Sequence, residues 1–325
     1  MTQKRCAICM TTKDRWHFTE MTLMSLYYAD QPKSDYDLFI VDNGSSPESV
    51  EQLKEFVNSG LVPVTNAYFM GERPISVAFN LLLSMTKDYD YRLKLDNDIV
   101  MLKTVTPPAK IGSDGSPVPD SSPAEVDPLS GSPRSGAIIG GVNSPTSRLH
   151  SPSVGIGSRG KKSFVSDNSS RFIDHLTGFA EANAVDLTAL VPVPPTMAFP
   201  SAFNEAVNRT LDGRSYLAGA CMLISKKAFE LLGYFDERLD KRIDIEYSQR
   251  AIRNRINIGY HPSYWSIHIG AREPTDEKAV RDQKYAIATQ IMQSQPIPNY
   301  SDSTWEKVLR QIKKSSQKHK IVNIE

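Results

Sequence analysis

Leu93-Lys94-Leu95-Asp96-Asn97-Asp98-Ile99-Val100-Met101 is the stretch on which the fold turns. Apolar side chains at 93, 95 and 99 to 101 describe a buried strand, and two carboxylates interrupt the pattern. A carboxylate at the rim of an apolar core costs free energy unless it is paired, hydrogen-bonded or bound to a metal. Asp96 and Asp98 are two residues apart, so an extended backbone sets them on one face at roughly 6 to 7 Å, a span that one divalent cation carrying a phosphate can bridge. Asp-Asn-Asp is also ordinary turn chemistry, and a surface turn is the competing explanation.

Upstream, Pro74 opens a helix in which Ile75, Ala78, Phe79, Leu82, Leu83 and Thr86 follow the i, i+3, i+4 rule, with Asn80 on the shoulder of the apolar face. A short strand is expected near Leu61 to Thr65. The strand formers Tyr36 to Val41 end in Asp42-Asn43-Gly44-Ser45-Ser46-Pro47, where Ser46 can cap a helix that starts at Pro47 and carries Val50, Leu53 and Phe56 as far as Gly60. Cys6 to Met10 is a first strand, the polar loop Thr11 to Arg15 follows it, and Phe18 to Tyr28 has helical spacing. This alternation predicts an α/β fold with a Rossmann-like, mostly parallel central sheet flanked by helices. Ligands of such sheets sit beyond the carboxyl ends of the strands, so Asp42 and Asp96 are expected to face one crevice.

Downstream, Thr104 to Ser170 turns to Ser, Pro and Gly, with Ile138 and Ile139 as the single strand-like interruption. A loop this long implies a lid, a binding loop or disorder. Its basic group Arg159, Lys161 and Lys162 suits a solvated face better than a phosphate site. Pro192, Pro194 and Pro195 form a stiff connector. Order is expected again at Tyr216 to Ser225, a small-residue segment feeding a strand, after which Ser225 caps a helix over Lys226 to Leu232 and Gly233 ends it. The acids Asp244 and Glu246 precede a basic helix over Tyr247 to Arg255. Gly259 to Pro262 reads as a turn into a strand over Tyr264 to Ile269, and helices are expected over Asp276 to Met292 and around Trp305 to Ile312. Lys313 to Lys320 is expected to be a solvated end. The organisation predicted is 1–103, 104–215 as the insertion, 216–300, and 301–325 as a C-terminal helix and tail.

The 38 basic and 37 acidic side chains give a formal charge of +1, so nothing global steers the chain to nucleic acid or an anionic membrane. Cys6, Cys9 and Cys221 make no disulfide framework and suggest reduced thiols, and Cys6-x-x-Cys9 lacks the second pair of a zinc site. No run nears the roughly eighteen apolar residues of a membrane span, and the expected location is cytoplasmic.

Asp42, the Asp96–Asp98 pair and the Asp244–Glu246 pair, taken in order, resemble the inverting nucleotide-sugar glycosyltransferases with the GT-A fold, the large family of bacterial polysaccharide and cell-wall sugar transferases. Phe39-Ile40-Val41-Asp42-Asn43-Gly44-Ser45-Ser46 is similar to the strand end whose first Asp recognises the nucleotide base, with Asn43 where a second Asp is common. Ala78 and Asn80 match the helix before the metal motif, and Asp96-Asn97-Asp98 is similar to the DxD signature. Leu217 to Ile224 followed by Gly233-Tyr234-Phe235-Asp236-Glu237 resembles the acceptor-side segment, where Gly219 and Ala220 allow close backbone approach. Asp244-Ile245-Glu246 falls at Glu-Asp-x-Asp, with Ile243 replacing the usual Glu.

The resemblance implies metal-dependent inverting transfer from a nucleoside diphosphate sugar, UDP-sugar favoured, to an acceptor hydroxyl of a glycan or other polymer. It gives Asp244 as catalytic base. Thr11, Arg15, Asp42, Asn80 and Asp96 would bind the donor nucleotide, and Asp98, Asp96 and His268 would hold Mn2+ or Mg2+. Gly219, Ala220, Glu246 and Trp265 would meet the acceptor, with pairing to Arg250 the other reading of Glu246. Three further readings stand beside it: transfer to modified bases of phage-type DNA, a non-catalytic sugar- or nucleotide-binding protein, and a nucleotidyltransferase. The last would want a Gly-rich phosphate loop after the first strand, where Met10-Thr11-Thr12-Lys13-Asp14-Arg15 has charges and no Gly.

Overall fold

The computed structural model describes residues 5–31, 34–103, 170–193, 216–269, 278–293, 302–316 and 319–324. Its first half alternates as expected: β1 (Cys6–Thr12), α1 (Trp16–Ala29), β2 (Asp30–Gln31), β3 (Tyr36–Asn43), α2 (Pro47–Ser59), β4 (Asn66–Met70), α3 (Ile75–Met85), β5 (Tyr91–Leu95) and β6 (Ile99–Lys103). After residue 103 come β7 (Ser170–Arg171), α4 (Phe172–Ala182) and β8 (Leu187–Val193) within the expected insertion, then β9 (Cys221–Ser225), α5 (Lys226–Leu232), α6 (Ile243–Arg253), β10 (Ile258–His268), α7 (Lys278–Gln293), α8 (Asp302–Ser316) and β11 (Ile321–Asn323). The residues 104–169 of the insertion, with Ile138, Ile139, Arg159, Lys161 and Lys162, lie outside the described residues, as do Pro194 and Pro195.

Nine strands form one sheet in the order β11-β4-β3-β1-β5-β9-β8-β10-β6. Five neighbouring pairs are parallel, β11–β4, β4–β3, β3–β1, β1–β5 and β8–β10. The other three, β5–β9, β9–β8 and β10–β6, are antiparallel. Successive side chains of a strand point to opposite faces, and β1 shows both cores this makes. Cys6, Ile8 and Met10 pack with Leu23, Leu53, Phe56 and Leu176 of α1, α2 and α4. Ala7 and Cys9 pack with Phe79, Leu82, Leu232 and Tyr247 of α3, α5 and α6 on the other side. Cys6 and Cys9 therefore lie in opposite cores as free, buried thiols, and burial pushes Cys9 up to about 12.

Local caps fix the helix ends. Ser46 accepts from the Ser49 amide ahead of Pro47 and α2 stops at Gly60 with φ 69°; Ser225 accepts from the Ala228 amide at 3.0 Å and Gly233 closes α5. Four boundaries differ from the sequence reading. The strand expected at Leu61 to Thr65 lies at Asn66–Met70, because Pro63 offers no N–H and it is Asn66 to Met70 that pairs with Phe39 to Asn43. The turn expected at Gly259 to Pro262 is an irregularity inside β10, whose register with β8 shifts between Tyr260 and Trp265. Helix α6 begins at Ile243, so Asp244 and Glu246 occupy its first turn. After the basic segment the chain adds β11, parallel to β4, as a ninth strand.

Candidate active site

Strands β1, β3 and β5 run parallel and deliver Thr12, Asp42 and Asp96 to the same edge of the sheet. Asp42 is 3% exposed and accepts from the Ser45 amide at 3.1 Å and from the Ser45 hydroxyl. Burial, only partly offset by these bonds, pushes its carboxyl above the usual range. The Ser45 hydroxyl also accepts from the Asp14 amide at 2.7 Å, and the Asp14 carboxylate accepts from the Ser46 amide at 2.7 Å. This clasp holds the β1 loop onto the β3 loop. Asp14 and Arg15 both take left-handed backbone, φ 52° and 53°, a costly conformation outside glycine that turns the loop back over the strand ends.

That turn directs Arg15 to Asp98, Nη2 to Oδ2 at 2.9 Å. The other oxygen of Asp98 faces His268 Nε2 at 3.2 Å, from the end of β10. Burial opposes the charged form of Asp98, and the His268 and Arg15 contacts outweigh it, holding the carboxyl below the usual range. Burial likewise opposes protonated His268, and Asp98 with Asp96 raises it. Asn97 donates to Thr12 and Thr19 at 3.2 and 3.0 Å, pinning the turn between the acids to β1 and α1. Asp96 is the more open of the two, 26% exposed at the side chain against 9% for Asp98. Its Oδ1 accepts from Lys94 Nζ at 2.6 Å, and burial raises its carboxyl despite that ammonium.

The second half reaches the same edge through the turn before β9. The Asp96 amide donates to the Ala220 carbonyl at 2.8 Å and Lys94 to the Gly219 carbonyl at 2.6 Å. The Gly219 amide donates to Asp244 Oδ2 at 2.9 Å. A Cβ on Gly219 would stand 2.6 Å from the Asp244 Cβ, so close approach there requires glycine. Asp42, Asp98, Asp96 and Asp244 thus lie along one rim, joined by hydrogen bonds through Ser45–Asp14, Arg15 and Lys94–Gly219 and by the chain itself from Asp14 to Arg15 and across Asn97.

Two residues given ligand roles in the sequence reading make hydrogen bonds within the fold. Asn80 is fully buried, accepting from the Phe235 amide at 2.8 Å and donating to the Phe235 carbonyl at 2.9 Å and to Glu237 at 3.1 Å, so its amide splices α3 to the loop before α6. Glu246 is 3% exposed and binds Arg250 through both oxygens, at 2.9 and 2.6 Å, while Arg250 also donates to the carbonyls of Leu232 and Tyr234. Its pairing with Arg250 is the alternative that the helical spacing allowed. Thr11 is 4% exposed beside Val41 in the β1–β3 register, and Trp265 lies on β10 opposite Leu102. Sequence reasoning passed over Lys94, Ser45 and Asp14. The signal for Lys94 was present, since a lysine at an inward position of a buried strand needs a partner.

Among the described residues no group of three or more His, Cys, Asp and Glu stands ready to hold a metal ion. The two carboxylates and the imidazole Nε2 around Asp98 are nonetheless the donor types that Mn2+ or Mg2+ takes, and Arg15 and His268 bring positive charge to the carboxylate that such an ion would meet. Among the described residues no helix is long and apolar enough to cross a membrane.

The structure matches the mannosyltransferase PcManGT from Pyrobaculum calidifontis, solved in complex with GDP-Man and Mn2+, with a TM-score of 0.50 and 11% identity over 95% of this chain and 69% of that one. It also aligns with S. aureus TarS 1-349 at a TM-score of 0.48 and 11% identity, over 97% of this chain and 74% of that one. No protein-family model matches the chain, and no curated protein matches it in sequence.

Proposed function

We propose that the chain is a metal-dependent glycosyltransferase that moves a sugar, with inversion, from a nucleoside diphosphate sugar to an acceptor hydroxyl. The observation that carries this reading is the continuous rim from Asp42 through Asp98 and Asp96 to Asp244. It sets Asp42, the Asp96–Asp98 pair and the separate carboxylate Asp244 along one edge, an order that suits base, diphosphate and acceptor in turn. The fold shared with a protein that binds GDP-Man and Mn2+ supports it.

Asp42, held by Ser45 at the end of β3, is suited to meet the base, with Thr11 on β1 opposite the preceding Val41. Asp98 and Asp96, with His268, would hold Mn2+ or Mg2+, and such an ion supplies Lewis-acid stabilisation of the negative charge on the departing diphosphate. Arg15, whose guanidinium already faces Asp98, adds a planar donor fork suited to phosphate oxygens. Asp244, its Oδ2 fixed by the Gly219 amide, takes the acceptor's proton as its oxygen attacks the anomeric carbon from the face opposite the leaving group. In this reading Gly219, Ala220 and Trp265 are the residues that meet a glycan acceptor. The donor is a UDP-sugar in this reading, and GDP-mannose is the second donor to test.

The experiment is a panel of nucleotide sugars assayed for binding and transfer with and without Mn2+. Asp98→Ala is expected to weaken Mn2+-dependent donor binding at least about tenfold. Asp244→Asn should bind donor within about threefold of wild type and lose about a hundredfold or more in transfer rate. Transfer by Asp244→Asn at the wild-type rate would remove Asp244 as the base.

A further inference from the structure

Resting on the transferase reading, we propose that Lys94 is a positioning residue that sets Asp244 relative to Asp96, so that proton removal and donor binding occur in register. Lys94 is 2% exposed, a burial that a lysine sustains only with partners for its ammonium. One contact is Asp96 Oδ1 at 2.6 Å, another is the Gly219 carbonyl at 2.6 Å, and the ring of Phe79 lies 4.3 Å below. The backbone through Gly219 and Ala220 is held at three points. Lys94 takes the Gly219 carbonyl, Asp244 takes the Gly219 amide at 2.9 Å, and the Asp96 amide donates to the Ala220 carbonyl at 2.8 Å.

There is no slack in that arrangement, because the Gly219 α-carbon already lies against the Asp244 side chain. The ammonium and the peptide therefore form one strut between a donor-side carboxylate and the acceptor-side carboxylate. Charge is part of it: a neutral side chain of the same length would leave Asp96 without its cation and the Gly219 carbonyl without its donor. The turn would then be free to shift along the rim, and a shift of about 1 Å in a reacting group is enough to cost about a hundredfold in rate.

The test uses the full chain with Lys94→Met and Lys94→Gln, the second keeping a donor for the Gly219 carbonyl. Lys94→Met is expected to lower kcat about thirtyfold or more with the donor KM changed less than about threefold, and Lys94→Gln to fall between it and wild type. In an Asp244→Asn background Lys94→Met should lower the residual rate by less than about threefold, because both changes act through the same carboxylate. Hydrogen exchange at the Gly219 amide should quicken about tenfold in Lys94→Met whether or not any sugar is transferred, which separates this inference from the transferase reading. A folded Lys94→Met with wild-type kcat, full additivity with Asp244→Asn, or unchanged Gly219 exchange overturns the proposal. Failure of both variants to fold overturns it too, since Lys94 would then be a core strut alone.

Discussion

The two ends of strand β5 carry positive charge into opposite surroundings. Arg92 and Lys94 lie on the same face, 0% and 2% exposed, and each sits over an aromatic ring, Phe229 at 4.5 Å for Arg92 and Phe79 at 4.3 Å for Lys94. At the outer end, Lys94 has a carboxylate and a carbonyl. At the inner end, none of the three Arg92 nitrogens has a hydrogen-bond partner among the described residues, and burial holds its pKa below the usual value. A buried charge is costly wherever it sits. The difference teaches that the fold bears this cost at both ends and gains a site from it only where the strand opens on the crevice.

Four changes break or sharpen that contrast. Removing the paired charge has the largest expected effect: Lys94→Met should lower unfolding stability by about 2 to 3 kcal/mol, read from urea denaturation, since it strands Asp96 and the Gly219 carbonyl. Gly219→Ala should cost about 2 kcal/mol and reduce transfer together, because its methyl group enters the space of the Asp244 Cβ. Arg92→Met should act in the opposite direction, raising stability by about 1 kcal/mol without touching the rim; a loss at this position would mean that the guanidinium is satisfied after all and the contrast between the two ends is false.

The smallest effect concerns pH at the mouth beyond Lys94. Asp98 is held below its unfolded value, so its contribution to stability is present above about pH 4 and is lost as pH falls through the lower folded value. His268 is raised, so its contribution is complete below about pH 6.5 and is lost as pH rises through the higher folded value. The urea midpoint should therefore peak between these limits and decline on both sides. His268→Gln should flatten the alkaline decline, and an alkaline limb unchanged in that variant would assign it to another group.

Much of the frame was legible because its signals are local. Ser46–Pro47, Ser225, Gly60 and Gly233 mark helix ends by their own chemistry, and acids at the ends of apolar runs exposed Asp42, Asp96 and Asp98 as residues needing a reason. What escaped is what depends on distant partners or lacks a local sign. Lys94 meets the Gly219 carbonyl 125 residues away. Helix α6 begins after Arg242, left-handed at φ 63° and without a side-chain cap, so no capping residue announced that Asp244 is already helical. Val62 and Val64 imitate a strand, but both are buried in a loop whose Pro63 cannot join a ladder. Asn80 entered as a site residue through the family resemblance; its partner, the Phe235 backbone, is 155 residues away and left no local sign.

Strand β11 bears on how the chain comes to be made. The Ala67 amide donates to the Lys320 carbonyl and the Ile324 amide to the Phe69 carbonyl, each at 2.8 Å, so the outer edge of β4 is covered by residues synthesised some 250 positions later. During translation the first five strands can collapse early, yet that edge stays an open row of donors and acceptors until almost the whole described chain has emerged. Bare strand edges recruit other chains. The nascent protein therefore carries an open sheet edge from the emergence of β4 until β11 pairs with it.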